Sequence, residues 1–164
     1  MGKEIERKFL LSDPHCCDGL QGVFCRQGYL AVGPPVAIRV RIMDGMALLN
    51  IKKATLSITR DEYEYPIPLA DAEEILNNLC EGYVIQKTRY KIEHAGMTWE
   101  VDVFEGLNQG LAVAEIELAC EEQEFTRPPW VGAEVSGDVR YLNASLSQRP
   151  YAHWSVADRP GRQV

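Results

Sequence analysis

The sequence lacks the features that would place it in a membrane or outside the cell. None of its apolar runs approaches the ~20 residues that a membrane-spanning helix requires. The segment Met1–Lys8 is charged where the apolar core of a secretion signal would have to begin. We therefore expect a cytoplasmic protein that has no membrane partner.

Positive charge and paired cysteines are also scarce. The chain has 17 basic and 24 acidic residues, a formal net charge of −7, whereas proteins that follow nucleic acid are normally basic. We therefore expect no nucleic-acid partner. The five cysteines are odd in number, include the neighbours Cys16 and Cys17, and form no C-x-x-C motif. This pattern predicts reduced thiols, without a disulfide framework or a zinc site.

No internal repeat or linker divides the chain, and its 164 residues are a usual length for one domain. Apolar residues make up 46% and charged residues 25%, which is typical of a soluble globular protein. We expect the domain to span residues 1–147. Residues 148–164 contain two prolines and end in Asp-Arg-Pro-Gly-Arg-Gln-Val, which predicts a flexible tail.

The dominant hydrophobic period is two, the period of a β-strand with one buried face. Strands are predicted at residues 3–11, 23–32, 36–43, 46–54, 59–67, 83–93, 97–105 and 111–119. Asp44-Gly45 and His94-Ala95-Gly96 predict tight hairpin turns. Short helices are predicted at residues 71–80, 121–125 and 138–146. The fold class is mainly β (α+β), and eight antiparallel strands indicate a closed barrel or a sandwich.

Charged residues recur at every second position, so that each strand places them on one face. The shared faces carry Glu4, Glu6 and Lys8; Arg39 and Arg41; Asn50 and Lys52; Glu62 and Glu64; Lys87, Arg89 and Lys91; Glu100 and Asp102; Glu115 and Glu117. One such strand alone is most simply a solvated face. Six strands with like-charged pairs would be unstable unless an opposite charge lay between them. Carboxylate pairs suit a hard cation and basic pairs suit phosphate, so we expect an eight-stranded barrel with this charged face inside.

The segment Glu4-Ile-Glu-Arg-Lys8 resembles the signature of the CYTH superfamily, also called triphosphate tunnel metalloenzymes. Later landmarks follow in the family's order: Arg39-Val-Arg41, Lys52, Glu62-Tyr-Glu64, Lys87-Thr-Arg89, Asp102 and Glu115-Ile-Glu117. The resemblance covers about residues 1–146. The segments Arg26-Gln-Gly-Tyr-Leu and Arg140-Tyr-Leu-Asn are most similar to the short, single-domain bacterial members, among which inorganic triphosphatases are known.

The resemblance implies a closed barrel that forms a tunnel and binds triphosphate together with Mg²⁺ or Mn²⁺. The implied metal ligands are carboxylates: Glu4, Glu6, Glu62, Glu64, Asp102, Glu115 and Glu117. The implied substrate-binding residues are basic: Lys8, Arg39, Arg41, Lys52, Lys87, Arg89 and Arg140. Lys52, Lys87 and Tyr29 match the lysine pair and the tyrosine that act in catalysis in tripolyphosphatase-like members. A salt bridge that anchors the C-terminal segment is an equal reading for Arg140.

The predicted reaction is metal-dependent hydrolysis of a triphosphate, with inorganic tripolyphosphate giving pyrophosphate and phosphate, because charge alone would recognise that substrate. Class IV adenylate cyclase and nucleoside or thiamine triphosphatase are the enzymatic alternatives. For a thiamine triphosphatase, Tyr29, Trp130 or Tyr141 would supply an aromatic contact. A polyphosphate-binding module is the alternative without catalysis. A homodimer is left open by the sequence.

Overall fold

Nine strands form one antiparallel sheet that closes on itself in the computed structural model, which describes residues 2–160. The strands are β1 (Gly2–Leu11), β2 (Val23–Ala31), β3 (Val36–Met43), β4 (Met46–Lys53), β5 (Thr59–Ile67), β6 (Glu81–His94), β7 (Met97–Phe104), β8 (Ala112–Glu117) and β9 (Val131–Glu134). The order is β5-β4-β3-β2-β6-β7-β8-β1-β9, and β5 also pairs with β1. The predicted eight-stranded barrel is confirmed, with one additional strand.

The barrel closes along the N-terminal strand, because β1 has different partners in its two halves. Gly2 to Ile5 pair with β5, whereas Phe9 and Leu11 pair with the short β9 on the same edge. The other edge of β1 pairs with β8, where Glu6 lies opposite Glu117. The charged residues of β1 and those of β8 therefore meet on adjacent strands.

Tight turns form where the sequence predicts them. Asp44 and Gly45 have φ of 53° and 70°, and Ala95 and Gly96 have φ of 49° and 77°. Positive φ at both central residues gives a hairpin turn whose twist matches that of the flanking strands. The β3–β4 and β6–β7 pairs are therefore regular hairpins, which fixes the face of every charged residue along them.

The helices differ from the prediction in two places. Helix α1 (Leu69–Asn78) forms and buries Ala72 and Leu76 against β3 and β4. Residues 121–122 form a turn and residues 123–125 are irregular instead of helical, and the Gln123 side chain accepts a hydrogen bond from the Ala119 amide across this bend. The predicted helix at 138–146 is split into a 3₁₀ turn, Val139–Tyr141, and α2 (Asn143–Gln148), because Leu142 between them is extended.

Residues 148–160, for which the composition predicts a flexible tail, are packed in the structure. Trp154 is 5% exposed, and its ring lies 5.2 Å from that of Tyr141 and 5.1 Å from that of Tyr151. These residues join a core cluster with Tyr29 and Ile85, which belong to the barrel wall. The C-terminal segment thus packs against one end of the barrel. Residues 161–164 of the predicted tail lie outside the described residues.

Two further core clusters lie on the outer surface of the barrel. Phe9 and Trp99 pack with Phe125 and Trp130 outside β1, β7 and β8, and α1 covers β3 and β4. The apolar face of these strands therefore points outward under cover, which leaves the charged face for the interior. None of the helices in the described part of the chain is long and apolar enough to cross a membrane.

Candidate active site

The interior of the barrel contains a cavity of about 960 Å³. The predicted residues that line it are Glu4, Glu6, Lys8, Tyr29, Arg39, Arg41, Lys52, Glu62, Glu64, Arg89, Glu115 and Glu117. Lys91 and Glu100, which the alternation also places on this face, line it as well. Acidic and basic side chains from seven strands therefore surround one enclosed space.

Glu115 lies at the centre of an ion-pair group on one wall. Its Oε1 is 2.9 Å from Lys8 Nζ, and its Oε2 accepts a hydrogen bond of 2.9 Å from Arg89 Nη2. Burial raises the pKa of Glu115, but Lys8 and Arg89 outweigh burial and hold the pKa well below its usual range. Glu115 is therefore a permanent carboxylate that fixes two cations of the cavity.

A second group of ion pairs joins β1, β4 and β5. Lys52 Nζ donates to Glu4 Oε2 at 2.7 Å and lies 3.2 Å from Glu62 Oε1. Arg60 Nη2 lies 3.7 Å from carboxylate oxygens of both Glu4 and Glu6. Closure of the barrel between β1 and β5 brings these charges together, since Glu4 and Arg60 are partners in register.

Two carboxylates where β1 meets β8, Glu6 and Glu117, have raised pKa values, in contrast to Glu115. Burial and the neighbouring Glu115 raise the pKa of Glu6 to about 6. Burial, Glu4 and Glu100 raise the pKa of Glu117, which lies opposite Glu6 in the β-ladder. Carboxylates whose pKa values are raised by burial and by the charge of neighbouring carboxylates suit a divalent cation, because the cation would offset the repulsion between them. Among the described residues, no three acidic, histidine or cysteine side chains already converge as a finished metal site.

Tyr29 and Arg39 form part of the opposite wall. They are partners in the β2–β3 register, and both are largely buried while lining the cavity. Burial lowers the pKa of Arg39, yet Tyr29 and Glu62 raise it above its ordinary value overall. The guanidinium and the phenol are thus held side by side where a bound anion would meet both.

Lys87 and Asp102 are on the predicted face but lie behind the cavity wall. They are 2% and 0% exposed, and neither belongs to the cavity lining. Asp102 accepts a hydrogen bond of 2.5 Å from Lys87 and two of 2.7 Å from Arg89. Burial raises the pKa of Asp102, but the two cations lower it overall. In this arrangement the pair holds Arg89 in place, and the metal and catalytic roles predicted for the two residues stay predictions.

Arg140 makes the contacts expected of the anchoring role, and its predicted substrate-binding role stays a prediction. Its side chain does not line the cavity; it donates to Asp138 at 2.6 Å and to the Asp158 carbonyl at 2.9 Å. The guanidinium also lies over the rings of Tyr141 and Trp154. Arg140 therefore ties together the two ends of the C-terminal segment, residues 138 and 158.

Arg60 is a cavity residue that the sequence analysis missed. It shares a strand face with Glu62 and Glu64, two residues along β5, so the alternation contained the signal. A single arginine before two glutamates is not a like-charged pair, so the pattern of like-charged pairs does not include it. Val139, Leu142 and Asn143 also line the cavity, and no local pattern would have placed the C-terminal segment there.

Comparisons with known proteins agree with this architecture. The family model described as CYTH domain matches residues 2–151. The chain is 47% identical to an inorganic triphosphatase of Acetivibrio thermocellus over 94% of its length and 99% of the relative. It is 38% identical to an inorganic triphosphatase of Nitrosomonas europaea over 88% of its length and 96% of that relative. The crystal structure of an inorganic triphosphatase superposes with a TM-score of 0.64 at 36% identity, covering 90% of this chain and 95% of the other.

Proposed function

This chain belongs to the CYTH domain family, and from that premise we propose that it hydrolyses inorganic tripolyphosphate to pyrophosphate and phosphate inside its barrel. The observation that carries the proposal is the enclosed cavity lined by both carboxylates and basic side chains. The two relatives named inorganic triphosphatases, matched along nearly their whole length, support the same reaction. In the overall step, water oxygen bonds to the terminal phosphorus, the P–O–P bond breaks and pyrophosphate leaves.

Enzymes of this family are metal-dependent, and the proposed ion is Mg²⁺ or Mn²⁺. Glu4, Glu6 and Glu117 would hold it, because burial and repulsion by neighbouring carboxylates, Glu4 among them, raise the pKa of the last two. A bound divalent ion would offset phosphate charge and orient the attacking water. Glu115 would act beside it by holding Lys8, as the ion pair between them indicates.

The basic side chains of the cavity would bind the phosphates. Lys8, Arg39, Arg41, Lys52 and Arg89 present both guanidinium forks and ammonium point charges to the cavity, a mixture that suits tetrahedral phosphate oxygens. Each of the five lies within 4 Å of a carboxylate oxygen. A bound triphosphate would replace some of these carboxylates as the partner of the basic side chains. Because phosphoryl transfer depends mainly on positioning and charge stabilisation, this arrangement accounts for most of the expected catalysis.

Proton handling would fall to groups at the same walls. Lys52 and Tyr29 line the cavity, and Lys87 lies directly behind it. Burial lowers the pKa of Lys87, although Asp102 opposes that effect, so loss of the Lys87 proton is easier than for an ordinary lysine. We include all three in the proposed catalytic set.

The cavity offers little to a substrate with a ring. Tyr29 is the one aromatic residue among the described residues that line it. Trp130 packs against Trp99, and Tyr141 packs against Trp154, so neither supplies the aromatic contact that a thiamine triphosphatase would use. The shortage of aromatic side chains, together with the many charged ones, therefore favours inorganic tripolyphosphate over thiamine triphosphate or a nucleoside triphosphate.

The test is phosphate release from tripolyphosphate, ATP and thiamine triphosphate with Mg²⁺, with Mn²⁺ and with EDTA. We expect release from tripolyphosphate that requires the metal, and loss of at least tenfold in Arg39→Met. Arg7→Met is the matched control, since Arg7 pairs with Glu134 outside the cavity. Binding of tripolyphosphate without any release would instead support the polyphosphate-binding module, and formation of a cyclic nucleotide from ATP would support the cyclase.

A further inference from the structure

The side chain of Gln27 has an unusual environment beneath the cavity. It is 0% exposed, and neither Oε1 nor Nε2 has a hydrogen-bond partner among residues 2–160. Because both ends of the carboxamide are unpaired, exchanging oxygen and nitrogen would not remove the deficit. Buried polar groups are nearly always paired in folded proteins, so an orphaned pair indicates a partner that the chain itself does not provide.

The strand geometry directs this carboxamide toward the cavity. Gln27 shares the inner face of β2 with Tyr29, which lines the cavity, and pairs in register with Arg41 of β3. Cross-strand partners have their Cβ atoms about 4.5–5.5 Å apart, so the two side chains are neighbours. Arg41 Nε is also buried without a hydrogen-bond partner in the described part of the chain. Gln27 is not itself a lining residue, so an unpaired acceptor behind the cavity wall is the neighbour of an unpaired donor on a residue that lines the cavity.

Arg41 has fewer carboxylate contacts than Arg89, the cavity-lining arginine of β6. Within the described residues, its carboxylate contact is with Glu64 at 3.1 Å, and the Glu64 side chain is 40% exposed. Arg89, by comparison, contacts Glu100, Asp102 and Glu115. A guanidinium with one half-exposed partner can turn toward an anion without breaking a buried network.

We propose that Gln27 is a positioning residue, which directs the Arg41 guanidinium onto a phosphate oxygen of the bound triphosphate. Its Oε1 accepts a hydrogen bond from Arg41 Nε when the guanidinium exchanges Glu64 for substrate, and Nε2 adds an N–H on the same side. A neutral acceptor suits this task, because a carboxylate would compete with phosphate for the positive charge. This inference rests on the proposed function and specifies how one of the phosphate-binding side chains, Arg41, is positioned.

Gln27→Met is the first test, because methionine keeps the length of the side chain and removes both polar atoms. We expect KM for tripolyphosphate to rise about tenfold or more, which is the usual effect of losing a hydrogen bond to a charged group. The unfolding midpoint should stay the same or rise, since no orphaned polar atom remains. Gln86→Met is the control, because Gln86 is exposed on β6. An unchanged KM, with or without a lower midpoint, would overturn the inference.

The second test asks whether Gln27 acts through Arg41. We expect Gln27→Met to have little further effect on KM in an Arg41→Ala background, because the two changes remove one shared contact. Additive effects would show that Gln27 acts independently and would overturn the proposal. Should Gln27→Met not fold, Gln27→Glu replaces it: the new carboxylate would hold Arg41 and raise KM, whereas an unchanged KM would again refute the role.

Calorimetric binding of tripolyphosphate in EDTA separates the two proposals. If the wild-type protein releases no phosphate yet binds tripolyphosphate, the proposed hydrolysis fails while the same variants still test the Gln27–Arg41 pair by affinity. If the wild-type protein hydrolyses tripolyphosphate and the affinity is the same in Gln27→Met, the function stands and the inference fails.

Discussion

Asp102→Asn should destabilise the barrel severely, because it removes the charge from a carboxylate that holds two buried cations. Asp102 is 0% exposed and accepts hydrogen bonds from Lys87 and Arg89. The amide has nearly the same shape but leaves Lys87 and Arg89 without their shared counter-charge. Breaking a buried pair from one side costs about 3–5 kcal/mol of unfolding free energy. At about 2–4 °C per kcal/mol for a chain of this size, the unfolding midpoint should fall by about 6–20 °C.

The assay is thermal unfolding followed by circular dichroism, in EDTA and again with Mg²⁺. Glu134→Gln is the matched control, since Glu134 pairs with Arg7 where both side chains are more than a quarter exposed. Such a pair contributes about 0–1 kcal/mol, so its midpoint should fall by less than ~4 °C. Equal midpoints for the two variants would refute the reasoning. A loss in Asp102→Asn that occurs only with Mg²⁺ would favour the predicted metal-ligand role over structural support.

Three further predictions concern the metal site and the C-terminal segment. Burial and Glu115 raise the pKa of Glu6 to about 6, so Glu6 becomes protonated below that pH. The apparent affinity for Mg²⁺ should therefore fall as the pH drops through about 6. An affinity that does not change between pH 5 and 8 would contradict this prediction. Trp154→Ala should lower unfolding free energy by about 3–5 kcal/mol in denaturant titrations, because a buried indole is lost; a change under ~1 kcal/mol would exclude its packing role. Arg140→Met should leave KM for tripolyphosphate unchanged. A tenfold increase in KM would instead show that Arg140 binds substrate.

The strand faces could be predicted because a period of two leaves only two choices, and one of them had to be buried. Glu4, Glu6 and Lys8 lie on the inner face, as expected, since Phe9 on the other face packs under Trp99. The tight turns strengthened this prediction by fixing the register of two hairpins. Face and register are local properties, so a single sequence contains them.

Depth along the barrel could not be predicted in the same way. Lys87 and Arg89 have the same parity on β6, yet Arg89 lines the cavity and Lys87 lies behind its wall. The difference arises because Lys87 is opposite Phe104 of β7 in the ladder, near the apolar end of the barrel. Side chains from distant segments, among them Trp154, determine which part of the barrel interior is packed and which part is open as the cavity.

Short elements held by distant partners were also missed. Strand β9 has four residues, Val131–Glu134, without an alternating pattern, and it exists because the second half of β1 offers a free edge. The C-terminal segment is polar and contains prolines, so its composition favoured a flexible tail. Its packing comes from Trp154, which joins a core cluster with residues of the barrel wall, and from the contacts of Arg140 with Asp138 and Asp158.

A crystal structure with tripolyphosphate and Mg²⁺ bound tests the central claim most directly. The account predicts a triphosphate inside the barrel, with phosphate oxygens within hydrogen-bond distance of Lys8, Arg39 and Arg41 and the metal on oxygens of Glu4 and Glu6. A triphosphate bound on the outer surface, with the interior ion pairs unchanged, would contradict it.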